Sequence, residues 1–195
     1  MKVTNQYPPS FGAKFINNVN IGKLCDGISG YLDCNACFVE IDPGNVSDIK
    51  ALKDVSKTWS YAKFADNIYN AACELRNENE LFRNNKVYAL TVQQDKFEKL
   101  NENDILGLVH TGALEGDALF IEHLQVKPDI IYLNKPDYKG AGTAILNSLK
   151  NLTSKIFLFP AKEESVKNFY VLNGFFEYPP ASNIFTWVKD IFPRF

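Results

Sequence analysis

From Ala36 the residues ACFVEIDP alternate and are rich in β-formers, which predicts a strand ended by Pro43-Gly44. Val46, Ile49, Leu52, Val55 and Trp59 then recur at three and four residues, the spacing of one helix face, with Asn45 or Ser47 placed to cap it. A second helical run is predicted from Tyr61 to about Phe82, its stripe made by Ala62, Ala65, Ile68, Ala72 and Leu75. At Lys86 the period falls to two. KVYALTVQQ, DILGLVHTGALEGD and ALFIEHLQV predict three strands joined by polar turns, an antiparallel meander. Ile145, Leu146, Leu149 and Leu152 line one face of a further helix, and KIFLFP predicts a short buried strand. AKEESVKNFYVLN reads as a helix closed by Gly174, and FFEYPP and NIFTWVKDIF as a last pair of strands. The order β, α, α, three β, α, β, α, β, β describes a mixed α/β (α+β) chain with no internal repeat or linker. We expect one domain over residues 1–195, residues 1–35 forming an amino-terminal extension with no assigned role.

Composition narrows the class of partner. Of 195 residues, 46% are apolar and 23% charged, and 15 Phe, 9 Tyr and 2 Trp argue for a packed core. A net charge of −2 supplies no basic footprint for nucleic acid or an anionic membrane, so neither is expected as a partner. The first residues carry Pro8-Pro9 and no apolar core of a signal peptide, and no apolar run approaches the ~20 residues that span a bilayer. A cytoplasmic protein is therefore expected, with Cys25, Cys34, Cys37 and Cys73 as reduced thiols. Cys34 and Cys37 have the spacing of a metal or redox pair, but a zinc site needs a second ligand pair, and His110 and His123 lie far along the chain. No metal is expected.

The stretch PDYKGAGTAIL, Pro136 to Leu146, places two glycines ahead of an apolar helix. A Walker loop would need Gly-Lys-Ser/Thr, and here Thr143 follows Gly142 directly. A dinucleotide fingerprint would need Gly or Ala at Ile145 and a strand running straight into the first glycine, whereas Asn134 to Tyr138 interpose a proline turn. Two readings stay open: a plain glycine turn, or a helix amino terminus whose backbone N–H groups converge on one anionic group.

Two neighbouring segments bear on the choice. Upstream lies Leu124-Gln125-Val126-Lys127-Pro128, and downstream Phe169-Tyr170-Val171-Leu172-Asn173-Gly174-Phe175. With Tyr138-Lys139-Gly140-Ala141-Gly142-Thr143-Ala144 between them, the chain resembles the GNAT N-acetyltransferase superfamily, whose motif A runs from a Leu-x-Val-x-Pro strand end into Tyr-Arg-Gly-x-Gly-x-Gly/Ala and a helix. That family's motif B is Phe-Tyr-x-x-x-Gly-Phe. The resemblance spans roughly Val39 to Val188, and its specific motifs lie between Glu122 and Phe175.

The resemblance implies a mostly antiparallel central sheet of about six to seven strands flanked by helices, with a splayed parallel pair forming a cleft for acetyl-CoA. ALFIEHLQV and KIFLFP would be that pair. Leu124, Gln125 and Val126 would line the cofactor, with Leu124 and Val126 offering main-chain hydrogen bonds to its pantetheine arm. Lys139, Gly140, Ala141, Gly142, Thr143 and Ala144 would hold its pyrophosphate. An amine would attack the thioester directly, Tyr170 donating a proton to the departing thiolate. Glu122 would be the base: simple alternation sets it on the strand face of Leu124 and Val126 and sets His123 on the opposite face. A structural or solvated carboxylate is the other reading of Glu122, and a packed histidine that of His123. The chain departs from the family at Glu163 and Val166, where Asn and Ala are common, and at Lys139, where arginine is. The segment Asp129–Asp137 is a longer connection than usual, with apolar Ile130, Ile131, Tyr132 and Leu133 suited to packing against a core edge. The acceptor would be an amine-bearing small molecule, or a peptide or protein; a homodimer, and a CoA-binding module without catalysis, stay open as alternatives.

Overall fold

In a computed structural model, residues 12–25, 30–59, 63–76, 84–133 and 135–189 are described. Among them the elements run β1 (Lys14–Leu24), β2 (Tyr31–Glu40), α1 (Val46–Thr58), α2 (Phe64–Arg76), β3 (Lys86–Thr91), β4 (Ile105–Leu114), β5 (Ala118–Val126), α3 (Pro128–Tyr132), β6 (Tyr138–Lys139), α4 (Ala141–Leu152), β7 (Lys155–Leu158), α5 (Glu164–Leu172), β8 (Phe176–Glu177) and β9 (Phe185–Val188). The strands form one mixed sheet in the order β6-β1-β2-β3-β4-β5-β7-β9-β8. Among the described residues β5 and β7 make the one parallel pairing, and the other pairs are antiparallel.

Nine strands stand where about six to seven were expected. The additions are β1, with three asparagines and little apolar alternation, and the two-residue β6, which pairs Gly22 with Lys139 and Lys23 with Tyr138. β2 also begins five residues before the predicted Ala36, because β1 continues the pairing out to Leu24↔Tyr31. The predicted second helix is described as α2 alone; Tyr61, Ala62 and residues 77–82 lie outside the described residues, as do residues 190–192 of the last predicted strand. Asp129–Asp137 holds the short helix α3, started by Pro128 in its first turn, and only part of it packs inward: Ile130 meets the core, while Ile131 and Leu133 are exposed. Its return leg is tied to the β1–β2 hairpin, since Leu24 N–H donates to Asp137 O at 2.8 Å and the Tyr31 hydroxyl to Pro136 O at 2.8 Å.

Alternation along the central strands feeds two cores, one on each sheet face. On one side α1 and α2 bring Leu52, Val55, Ile68 and Ala72 onto Val39, Ala89 and Leu108. On the other, α4 and α5 bring Ile145, Leu146, Leu149 and Tyr170 onto Phe38, Leu90, Val109 and Ile156. Asn45 caps α1, its side chain accepting from the N–H groups of Ser47 and Asp48.

Asp48, in the same first turn, is fully buried. Its Oδ2 accepts from Asp42 N–H at 3.1 Å, its Oδ1 has no partner among the described residues, and burial pushes its carboxyl up to about 7. Between the usual carboxylate range and about pH 7, the folded chain therefore keeps a proton that the unfolded chain has released. Stability should fall as pH rises through that window, by at most ~1.4 kcal/mol per pH unit. In urea titrations at several pH values, Asp48→Asn should flatten this slope; an equal slope in both proteins would acquit Asp48.

Candidate active site

The parallel pairing of β5 and β7 stops early. Ala118 to Ile121 face Lys155 to Leu158; β7 then ends while β5 continues to Val126. On its other edge β5 pairs with β4, and Lys127 N–H donates to Leu106 O at 2.9 Å. In an antiparallel ladder the residues whose main chain points at the partner alternate. Gln125 and His123 thus share the β4-directed set with Lys127, whereas Leu124 and Val126 turn their N–H and C=O groups to the edge that β7 has left. Two adjacent strands part and leave a row of main-chain groups beside the opening.

A bulge marks the point of parting. His110 faces His123 and Thr111 faces Ile121, so Glu122 is an extra residue with no opposite number on β4. Such a residue bends its strand and breaks strict alternation. Leu119, Ile121, Leu124 and Val126 all belong to the α4–α5 core, although 121 and 124 differ in parity. The expected face of Glu122 is overturned by this bulge. Gly112, which follows His110 on the α1–α2 face, would direct a Cβ to 3.7 Å from Glu122 Oε1, and Glu122 acts electrostatically on His123. Glu122, His123 and His110 gather on one side of the sheet, and Glu122 does not share the face of Leu124 and Val126.

His123 is half-buried and stacks on Phe64 at the start of α2, with centroids 5.6 Å apart and planes at 19°. The His110 ring lies 6.1 Å from it. Asn85 Nδ2 donates to His110 Nε2 at 3.2 Å, which leaves the ring proton on Nδ1, a buried atom with no partner among the described residues. Burial, and secondarily the neighbouring His123, lowers His110 to about 4, so it is neutral at physiological pH. His123 is lowered too, by burial, with Glu122 opposing the shift.

Gln125 has a different task from the cofactor contact expected of it. Its side chain is buried on the α1–α2 face, where Oε1 accepts from Ala65 N–H at 2.7 Å and Nε2 donates to Trp59 O at 3.0 Å. It ties the end of α1 and the start of α2 to β5. A lone glutamine in a strand gives no hint of such a tie, because its partners are main-chain groups some 60 residues away.

Past the opening, the chain reaches Gly140, which adopts φ +84° as the α4 cap with nothing within 4 Å of where a Cβ would stand. That left-handed turn favours glycine and leaves the approach clear. Ala144 N–H donates to Gly140 O at 2.9 Å, so Ala141, Gly142 and Thr143 supply the first N–H groups, which have no acceptor within the helix. Gly142 serves packing instead: a Cβ there would stand 3.0 Å from Phe169 Cζ and 3.5 Å from Val126 Cγ2. Lys139 is exposed on β6, its ammonium 4.3 Å from the centroid of the Tyr31 ring, a residue that the glycine motif gave no reason to connect with it.

Tyr170, on α5, is buried among Phe169, Phe175 and Phe185, with ring centroids 5.1, 5.6 and 6.5 Å away in edge-on contacts. Burial holds its hydroxyl up at about 12, so it keeps its proton at any physiological pH. Glu163 caps α5 without a side-chain hydrogen bond to the helix, and Val166 packs on the core beside it. No group of three or more potential metal ligands is found among the described residues. No helix there is long and apolar enough to cross a membrane.

No protein-family model matches the sequence, and no curated protein does. Among solved structures the chain is similar to the N-acetyltransferase PseH of Campylobacter jejuni in complex with acetyl coenzyme A, at 12% identity and a TM-score of 0.49 over 76% of this chain and 95% of that one. It is similar to an acetyltransferase from Streptococcus agalactiae 2603 at 12% identity and 0.46, over 79% and 97%. A GNAT-family acetyltransferase from Staphylococcus aureus Mu50 aligns at 12% and 0.45, over 79% and 98%. At these identities the likeness concerns the fold.

Proposed function

We propose that this chain is an acetyl-CoA-dependent N-acetyltransferase of the GNAT superfamily, in which a primary amine attacks the thioester directly. The observation that carries the reading is the parting of β5 from β7 beyond Ile121 and Leu158, with the main chain of Leu124 and Val126 facing the gap. The three sequence motifs fall around that gap, on β5, on the Gly140 turn and on α5. An extended amide-bearing arm would pair with Leu124 and Val126 as a strand edge does. A pyrophosphate would meet the N–H groups of Ala141, Gly142 and Thr143 and the positive end of the α4 dipole, with Lys139 adding charge. Glu122, at the apex where the strands part, is placed to act on the acceptor amine, and Tyr170 to protonate the leaving thiolate. Gln125 is left out of the cofactor contacts.

The acceptor is an amine on a small molecule, a peptide or a protein. Thermal shift with acetyl-CoA tests the cofactor, and a panel of primary amines followed by release of free thiol tests the transfer. At a hundred times Kd, ligand linkage gives about 2.7 kcal/mol, or roughly 5–10 °C in a domain of this size. Failure of millimolar acetyl-CoA to raise Tm would remove the cofactor assignment.

A further inference from the structure

The bulge sets His123 beside Glu122 on the sheet face covered by α2, and this changes which group is best placed to take a proton. Resting on the acyl-transfer reading above, we infer that His123 receives the acceptor amine's proton, while Glu122 stabilises the imidazolium and Phe64 fixes the plane of the ring. The Phe64 contact is near-parallel at 19°, so the ring is held in orientation and its edge, where both nitrogens lie, stays clear of the stack. The titratable and charged groups around His123 are few. On the sheet they are Glu122 and His110; from α2 the contact is through Phe64, flanked in the first turn by exposed Lys63 and half-buried Asp66. His110 is locked by Asn85 and stays neutral, so it does not compete for the proton. Burial keeps His123 neutral at pH 7, and the adjacent carboxylate favours its charged form once a proton arrives. An imidazole also suits the role because a general base works best with a pKa near the working pH.

The step balances without a further reactant. The lone pair of a neutral amine forms the C–N bond at the thioester carbonyl, and one N–H proton passes to the free ring nitrogen of His123. The C–S bond breaks with its electron pair on sulfur, which takes the proton of Tyr170. His123 then releases its proton and Tyr170 regains one through solvent, leaving amide and CoA thiol.

With only two histidines in the chain, ring NMR of the full protein reads the coupling without an acceptor. His123 should titrate, and Glu122→Gln should move its pKa down, while His110 stays uncharged above about pH 5. An unchanged His123 titration in Glu122→Gln would overturn the pairing. The second arm follows thiol release from acetyl-CoA with a primary alkylamine and with hydroxylamine, which is already neutral at pH 7. His123→Asn and His123→Gln should each lose about 10²–10⁴-fold with the alkylamine, an effect that shrinks at alkaline pH, and less than about tenfold with hydroxylamine. The acetyl-CoA thermal shift should be kept in both variants. Full alkylamine turnover in both histidine variants, with the whole loss in Glu122→Gln, overturns the assignment to His123. Absence of acetyl-CoA stabilisation in the wild type overturns instead the acyl-transfer reading beneath it, and the NMR coupling is read separately.

Discussion

Tyr170→Phe is expected to lower turnover by about 10²–10⁴-fold while leaving acetyl-CoA binding and folding nearly unchanged. The ring is held edge-on by Phe169, Phe175 and Phe185, and these contacts involve carbon atoms that phenylalanine retains. Removing the hydroxyl takes away a proton donor and little else. Because burial holds that hydroxyl at about 12, it stays protonated well above neutral pH. The ratio of wild-type to variant kcat should therefore be flat between about pH 6 and 9, unlike the loss at His123, which should shrink as alkali deprotonates the acceptor. Steady-state kcat at several pH values, with the acetyl-CoA thermal shift measured alongside, separates the two. Unchanged turnover would mean that the thiolate departs without help from Tyr170, and would favour a domain that binds CoA without catalysing transfer.

The elements that were legible share a physical cause: each buries one face against a continuous core. α1, α4 and β3 to β5 carry their apolar residues at the period of their element because packing demands it. β1 lacks that mark. Its asparagines and half-exposed residues give no alternating pattern, and it exists through ten pairings with β2, a non-local cause absent from its own segment. α3 was hidden by its length, since five residues hold too little periodicity to distinguish helix from loop, although Pro128 sits where a helix start accepts it. The main loss was at the bulge. Phe120 to Val126 reads as unbroken strand, and only the partner strand, which offers one residue fewer, reveals that Glu122 is supernumerary. Strict alternation therefore separated Glu122 from His123, where the backbone gathers them. The glycines show the opposite case: motif spacing located both, but could not tell that Gly140 is needed for its positive φ and Gly142 for its closeness to Phe169.

Gly142 gives the second large effect, and its sign separates packing from helix propensity. In a solvent-facing helix, glycine to alanine stabilises by up to ~1 kcal/mol. Here a Cβ would stand 3.0 Å from Phe169 Cζ and 3.3 Å from Cε2, and Phe169 is itself packed edge-on against Tyr170. Gly142→Ala should consequently give back that gain, and Gly142→Val should destabilise by about 1–3 kcal/mol, as overpacking does. The displaced ring would press on Tyr170, so turnover should fall more than stability alone accounts for. Phe169→Leu shortens the obstructing side chain, and combining it with Gly142→Val should cost less than the sum of the two single changes, with a coupling of about 0.5–3 kcal/mol in urea unfolding. Strict additivity would show that the ring does not meet the new side chain. The same cycle bears on the phosphate cradle: position 142 keeps its backbone N–H in every variant. Recovery of acetyl-CoA binding in the double variant would mean that main-chain donors hold the pyrophosphate and that Gly142 is small for the sake of Phe169. A binding defect that persists after Phe169 is shortened would place the requirement for glycine at the ligand itself.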